Sequence, residues 1–367
     1  MEMGSQDELI VLALNVGSSS LKFGVYKLVG FQLEKLHGES IQGTDTQSAI
    51  DHIFKSLTDK DLPSPDVIGH RIVHGGLLIR RHCLIDSNII RQLQKAADFA
   101  PLHNEKALAL IQAVIDRLPT IPQMACLDTV FHADLPDISR SLPIPSSLRS
   151  EGIKRYGFHG LSCESIVQQL GKDLPPRVIV AHLGNGVSVT AIKDGISIDT
   201  SMSLTPSGGA IMGSRSGDID PGVLLYLLRK KDLSTIELEY LIDKRAGLLG
   251  ISGVSSDMRE LHASAENNED VLLAIRMFCY SVGKLIASMA VALKGADLLV
   301  FTGGIGEHDP EVRERICQHL EWMDIRLNHR LNQENNRTIS DDTSLIAIEV
   351  LPSKEEDQIA RHAARLC

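Results

Sequence analysis

The stretch LIVLALNVGSSSLKFGVYKL, residues 9–28, decides how the rest of the chain is read. Residues 9–14 are uniformly apolar, as in a strand covered on both faces. Asn15-Val16-Gly17-Ser18-Ser19-Ser20 breaks that run with a small polar turn, and residues 21–28 make a second strand, so the segment reads as a hairpin. Glycine in such a turn lets the backbone approach a ligand while bare N–H groups face an anion. The same grammar returns later. The apolar segment 178–181 runs into His182-Leu183-Gly184-Asn185-Gly186, followed by strands over 187–193 and 196–199 joined at Asp194-Gly195. A third apolar run, 298–301, ends in Thr302-Gly303-Gly304-Ile305-Gly306-Glu307. Three such turns point to a nucleotide cleft. The repeated strand–turn–strand unit reads either as two related α/β domains, each with a phosphate-binding hairpin, or as an accidental recurrence of a common hairpin.

At 367 residues the chain is longer than one ordinary core, and two domains are expected. Between the turns lie a strand over 67–73, amphipathic helices over 88–99 and 104–118, a short strand over 124–131, a strand near 345–351 and a terminal helix. The prolines at 136, 143 and 145 mark an irregular connection and place a boundary near residue 130. The first domain is then 1–130 plus the terminal helix 356–367, and the second is 131–355.

Composition excludes several classes. With 37 basic and 47 acidic residues the net charge is −10, which argues against a nucleic-acid partner. Six cysteines without C-x-x-C spacing indicate neither a zinc knuckle nor a disulfide framework, and read as reduced thiols. The start MEMGSQDEL lacks a basic and an apolar signal region, so a cytoplasmic protein is expected. The apolar stretch 271–293 contains Arg276, Ser281, Lys284 and Ser288 and reads as a buried helix, with no membrane association.

The polar residues around these turns suit phosphoryl transfer. No Walker loop, dinucleotide fingerprint or nucleophile elbow is present. Lys22, on the strand leaving the first turn, could reach a terminal phosphate; an exposed strand lysine is the plainer alternative. Arg71, among apolar neighbours in GHRIVHGG (69–76), needs an anionic partner if buried. Arg215 lies in the glycine-rich loop GSRSGDIDPG (213–222), where its planar fork could stabilise a transferring phosphoryl group or simply be solvated. Asp128 ends an apolar run and suits either a site or a cap, while His159 sits in RYGFHG (155–160), dense in aromatic residues and glycine. Together these groups form the kit for a reaction governed by positioning and charge stabilisation.

With NVGSSSLKF (15–23), APLHN (100–104), DTVFH (128–132), HLGNGVS (182–188), SSDMRE (255–260) and FTGGIGE (301–307) in the same order, the chain resembles the acetate, propionate and butyrate kinase family of the actin-like phosphotransferases. The likeness spans nearly its whole length. It implies an α/β fold of two duplicated actin-like, ribonuclease H-like domains flanking an interdomain nucleotide cleft, usually in a homodimer. It also implies reversible, in-line transfer of the ATP γ-phosphate to acetate, giving acetyl phosphate and ADP with Mg²⁺, or alternatively Mn²⁺. By position, Asn15 and Glu355 would serve the metal and Lys22 the ATP phosphates. Arg71 would hold the acetate carboxylate, with Val73, Leu102, Phe158 and Pro206 around its methyl group. Asp128, His159 and Arg215 would be catalytic. His182, Leu183, Gly184, Asn185 and Gly186 would cradle phosphates. Asp257, Met258, Arg259, Gly304, Ile305, Gly306, Glu307 and His308 would surround the nucleoside. The chain departs from the usual pattern at His308 and Lys354, where the family commonly has Asn, and at Cys163 in place of an expected histidine. Propionate kinase, a pyrophosphate-using enzyme and a non-catalytic actin-like nucleotide-binding protein are the alternatives.

Overall fold

The computed structural model describes residues 8–17, 20–43, 45–99 and 101–365, without the side chains of 98 and 101–103, and the chain forms two compact units. Unit 1 comprises Met1–Ala133, His159–Ser165 and Lys354–Cys367; unit 2 comprises Asp134–Phe158 and Ile166–Ser353. His159–Ser165 and Glu355 therefore belong to unit 1, whereas breaks at 130 and 355 assign them to the second domain. Specific bonds explain the difference. The Gly160 N–H donates to the Asp128 carbonyl at 2.9 Å, and Asn15 Nδ2 donates to Glu355 Oε2 at 2.8 Å.

Unit 1 is built on a sheet of β1 (Glu8–Val16), β2 (Ser20–Val29), β3 (Gln32–Gln42), β4 (Val67–Ile72), β5 (Cys83–Leu84) and β6 (Gln123–Leu127), in the order β3-β2-β1-β4-β6-β5. β1, β2 and β3 pair antiparallel; β1, β4 and β6 pair parallel. β1 is apolar from Leu9 to Leu14 because both its faces are covered there. Leu12 and Leu14 pack with Phe23, Ile50, Ile53 and Leu110, under the helices Thr46–Asp59 and Pro101–Arg117. Val11 and Ala13 pack with Met124, Ile359, Ala360 and Ala363, under the terminal helix Glu355–Ala364. A Cβ at Gly69 would meet Ile359 Cγ2 at 2.5 Å, so a glycine in β4 is what admits that helix against the sheet.

The helix Thr46–Asp59 shows how local and tertiary terms agree. Asp45 caps it, accepting from the Ser48 N–H at 3.0 Å, and Ala49, Ile50, Ile53 and Leu57 form its buried stripe. Each fully buried Ile or Leu contributes about 1.5–3 kcal/mol.

Unit 2 carries β7 (Arg177–Leu183), β8 (Val187–Lys193), β9 (Ile196–Thr200), β10 (Leu298–Thr302) and β11 (Ala347–Val350), in the order β11-β10-β7-β8-β9. Started from β9, this is the order and the parallel or antiparallel sense of β3-β2-β1-β4-β6. Five strands thus repeat, in the ribonuclease H-like, actin-like arrangement. The helix Glu269–Leu293 has the length and composition to cross a membrane, yet Ala274, Phe278, Val282, Ile286 and Leu293 form a buried stripe. It is packed against β7, β8 and the helix Gly247–Ser252 of unit 2.

Candidate active site

Strand parity brings one group of the predicted residues together in unit 1. In β4, residues 67, 69 and 71 face the terminal helix, and alternation places Arg71 there. Asn15 continues the Val11 and Ala13 row of β1, Lys22 pairs with it across the hairpin, and Asp128 follows Met124 and Cys126 beyond β6. In the three parallel strands these positions lie at the carboxyl ends, where ligands of open α/β sheets bind. The terminal helix begins beside them with Glu355 and Glu356.

The side chains form one network. Arg71 donates through Nε and Nη2 to Asp128 Oδ2 at 2.9 and 2.6 Å, and through Nη1 to Asn15 Oδ1 at 3.0 Å. Asn15 Nδ2 donates to both Glu355 Oε2 and Glu356 Oε1, at 2.8 and 2.7 Å. Three of the five guanidinium N–H donors are thereby engaged. The remaining two, one on each of Nη1 and Nη2, form an outer fork of the kind that receives a carboxylate or phosphate. Burial pushes the Asp128 carboxyl up to about 6, with Glu355 adding to the rise and Arg71 opposing it. Burial alone would lower the Arg71 pKa, but Asp128 and Glu355 outweigh it and hold the group above its ordinary value.

This donor set fits a hard divalent cation. Asp128, Glu355 and Glu356 lie around the Arg71 guanidinium, and Asp128 Oδ1 is buried with no hydrogen-bond partner among the described residues. Oxygen ligands of that sort, in a net-negative group, suit Mg²⁺. The Asn15 amide oxygen accepts from Arg71 while its amide nitrogen holds both glutamates, so Asn15 sets where these carboxylates stand.

His159 is buried and has φ +56°, a left-handed conformation uncommon for a residue with a side chain. It leads into the helix Gly160–Leu170, whose first N–H binds Asp128. Val73 is also buried in unit 1. The side chain of Leu102, on the helix Pro101–Arg117, and the Ser18-Ser19 tip of the first turn lie outside the described residues.

In unit 2 the other predicted residues converge. Gly184 N–H binds Gly186 O at 3.0 Å, tightening the turn between β7 and β8. A Cβ at Gly213 would lie 2.6 Å from Asn185 Oδ1 and 3.0 Å from Ser256 O, so the arginine loop packs directly on this turn and on the segment before Asp257. Arg215 Nη1 donates to Pro206 O at 2.6 Å, joining two residues assigned to different tasks. Asp257 caps the helix Met258–Ala263 through the Arg259 N–H at 2.8 Å, and the Arg259 guanidinium folds back on the same carboxylate. Phe158 is fully buried in unit 2.

The third glycine run is a helix, Gly303–His308, rather than a turn. Gly303, at φ +79°, makes the strand-to-helix corner; a Cβ there would lie 2.8 Å from Leu183 O. Glu307 Oε1 accepts from the Gly303 and Ser353 N–H groups, both at 2.9 Å, and His308 is exposed. The run therefore rests on the end of β7, at the turn into β8.

The profile of the Acetokinase family matches residues 28–361. The chain belongs to that family. It is 36% identical over 390 residues to the acetate kinase of Azobacteroides pseudotrichonymphae, covering 95% of this chain and 98% of that one. Among solved structures it is similar to a propionate kinase from Francisella tularensis, with TM-score 0.88, 33% identity and coverage of 98% and 100%. It is similar too to the Porphyromonas gingivalis acetate kinase, with TM-score 0.82, 34% identity and coverage of 98% and 99%.

Two features of this acetokinase site escaped sequence reading. Glu356 shares Asn15 with Glu355, which a pair of adjacent glutamates at a helix start could have signalled. Arg313 is wholly buried beneath the Gly303–His308 helix, and nothing in its polar surroundings, PEVRERICQ, marks it as different from an exposed helical arginine.

Proposed function

We propose that this chain is an acetate kinase, transferring the γ-phosphoryl group of ATP reversibly to acetate with Mg²⁺. The observation that carries the proposal is the Arg71 network: a guanidinium with an outer fork left over, braced by Asp128 and Asn15, beside two further carboxylates. Acetate is ionised at neutral pH and needs no general base, so the task is to bring two anions together and offset their repulsion. Arg71 binds the acetate carboxylate through its outer fork, and Val73, Leu102, Phe158 and Pro206 bound its methyl group. Asp128 holds Arg71 in register and carries no proton in the reaction. His159 and Arg215 stabilise the charge of the transferring group. Lys22 and residues 182–186 bind phosphates, while Asp257, Met258, Arg259 and residues 304–308 meet the nucleoside. Glu355, Glu356 and Asp128 would hold Mg²⁺, which when bound would supply charge neutralisation on the phosphates.

Propionate is the competing acid, the one named for the similar Francisella kinase, while the acetate kinases among the relatives favour acetate. One methylene is worth about 1–3 kcal/mol in an apolar pocket, so the two acids separate in kcat/KM. A hydroxamate assay with acetate, propionate and butyrate against ATP, GTP and pyrophosphate, with and without Mg²⁺, tests the proposal. No turnover with any pair rejects it, and a higher kcat/KM with propionate transfers the assignment to that acid.

A homodimer is supported by the exposed Leu225, Tyr226, Ile236 and Tyr240 on the packed helices Pro221–Lys230 and Thr235–Lys244. Light scattering behind size exclusion distinguishes a dimer from a monomer.

A further inference from the structure

Arg313 is fully buried and makes four hydrogen bonds, all to neutral acceptors. Nε binds Asn332 Oδ1 at 2.8 Å and Nη1 binds Gly306 O at 2.9 Å. Nη2 binds Asn332 O at 3.0 Å and Asn335 Oδ1 at 2.7 Å. Burial draws its pKa down to about 10, which leaves it charged at neutral pH. Among the described residues no carboxylate forms an ion pair with it. Asp309 opposes the effect of burial only from beyond ion-pair distance, so the desolvated guanidinium is costly, and a packed apolar side chain of similar size would avoid that cost.

What the charge holds together is specific. Gly306 lies in the short helix Gly303–His308, and a cation at the carbonyl end of a helix is favoured by the helix dipole. Asn332 is itself fully buried and donates through Nδ2 to Pro310 O at 2.8 Å, tying the helix His329–Gln333 to the start of Arg313's own helix, Pro310–Gln318. Asn335 has φ +52°, so its side chain is presented from a left-handed corner. One planar fork therefore locks three segments, and one of them is the helix that presses on Leu183 of the second phosphate turn.

We infer that Arg313 is a positioning residue for the nucleotide, setting the Gly303–His308 helix at the height at which the nucleoside binds. This rests on the proposal that residues 304–308 meet the nucleoside. Lysine in its place keeps the charge but loses the planar fork, so Gly306 is no longer held together with Asn332 and Asn335. Glycine at 335 fits the left-handed corner and removes a single acceptor.

The test compares Arg313→Lys, Asn335→Gly and Gly304→Ala in the full chain, by steady-state kinetics and by calorimetric titration with ADP. A Cβ at Gly304 meets nothing within 4 Å, so this third variant reports on the ligand rather than on the fold. The expected result is a KM for ATP raised about tenfold by Arg313→Lys and two- to threefold by Asn335→Gly, with a parallel loss of ADP affinity and a KM for acetate within twofold of wild type. A merely structural role would lower thermal stability and the active fraction while leaving both KM values unchanged, and would overturn the inference. Should Arg313→Lys not fold, Asn335→Gly decides alone, and an unchanged KM for ATP overturns it. If Gly304→Ala raises the KM for ATP and the other two do not, the inference fails and the nucleoside assignment stands. If none of the three does, both fail.

Discussion

Replacing Gly160 by alanine tests whether the active-site carboxylate is set by backbone contact. A Cβ built on Gly160 lies 2.2 Å from the Asp128 carbonyl oxygen and 2.9 Å from Phe131 Cβ. Real Cβ contacts do not fall under 3.0 Å, so the helix start and the Asp128 peptide must separate by about 0.8 Å or more. Neither side can yield through a flexible side chain, because the obstructing atom is backbone. The separation strains the 2.9 Å bond from Gly160 N–H to Asp128 O, moves the Leu161 N–H that lowers the Asp128 pKa, and displaces the carboxylate that braces Arg71. It also disturbs His159, already at φ +56°. Overpacking of this kind costs about 1–3 kcal/mol of stability. A misplacement approaching 1 Å at a reacting centre costs on the order of 10²-fold in rate. We expect Gly160→Ala to fold with a lowered thermal midpoint and a kcat for acetyl hydroxamate formation reduced about 10²-fold. A folded variant with kcat within twofold of wild type would refute the argument.

Asp128→Asn leaves the Arg71 guanidinium buried without its partner; we expect a loss of about 3–5 kcal/mol in chemical denaturation and a large fall in kcat, and near-wild-type turnover would remove Asp128 from the mechanism. Glu356→Gln takes one carboxylate from the cation-binding group, so the Mg²⁺ concentration for half-maximal activity should rise several-fold while KM for acetate holds; an unchanged Mg²⁺ titration would exclude Glu356 from that group. His262, on the helix Met258–Ala263, is bonded to Asp309 at 2.8 Å, and that bond raises its pKa against the opposing effect of burial. Its stabilisation is therefore complete below the unfolded value of about 6.5 and is lost as pH rises through the folded one. The difference in thermal midpoint between wild type and His262→Gln should be largest below the unfolded value of about 6.5 and shrink as pH rises above it, and a pH-independent difference would contradict the pairing.

Much of the scaffold was legible from short-range pattern. β1 and β7 contain the apolar runs 9–14 and 178–181 because both faces are covered there, and the turns after them are small and polar, so the hairpins read correctly. β3 was not legible. Its sequence QLEKLHGESIQ is half exposed at a sheet edge, where charge is tolerated and alternation is weak. Without it four strands match between the units; with it, five do. The third glycine run was misread as a turn, because a strand-to-helix corner and a strand-to-strand turn ask for the same glycine.

The division of labour in the site follows the same line. Sequence alone determined which residues lie at the ends of strands, since alternation and glycine turns are local properties of the chain. Only the tertiary structure decided that Asn15 meets Glu355 and Glu356 from the far end of the chain, that Gly160 must lack a side chain to touch Asp128, and that Arg313 is buried. Those facts depend on how closely distant segments pack and on where a charge finds its acceptors, quantities that no local pattern encodes.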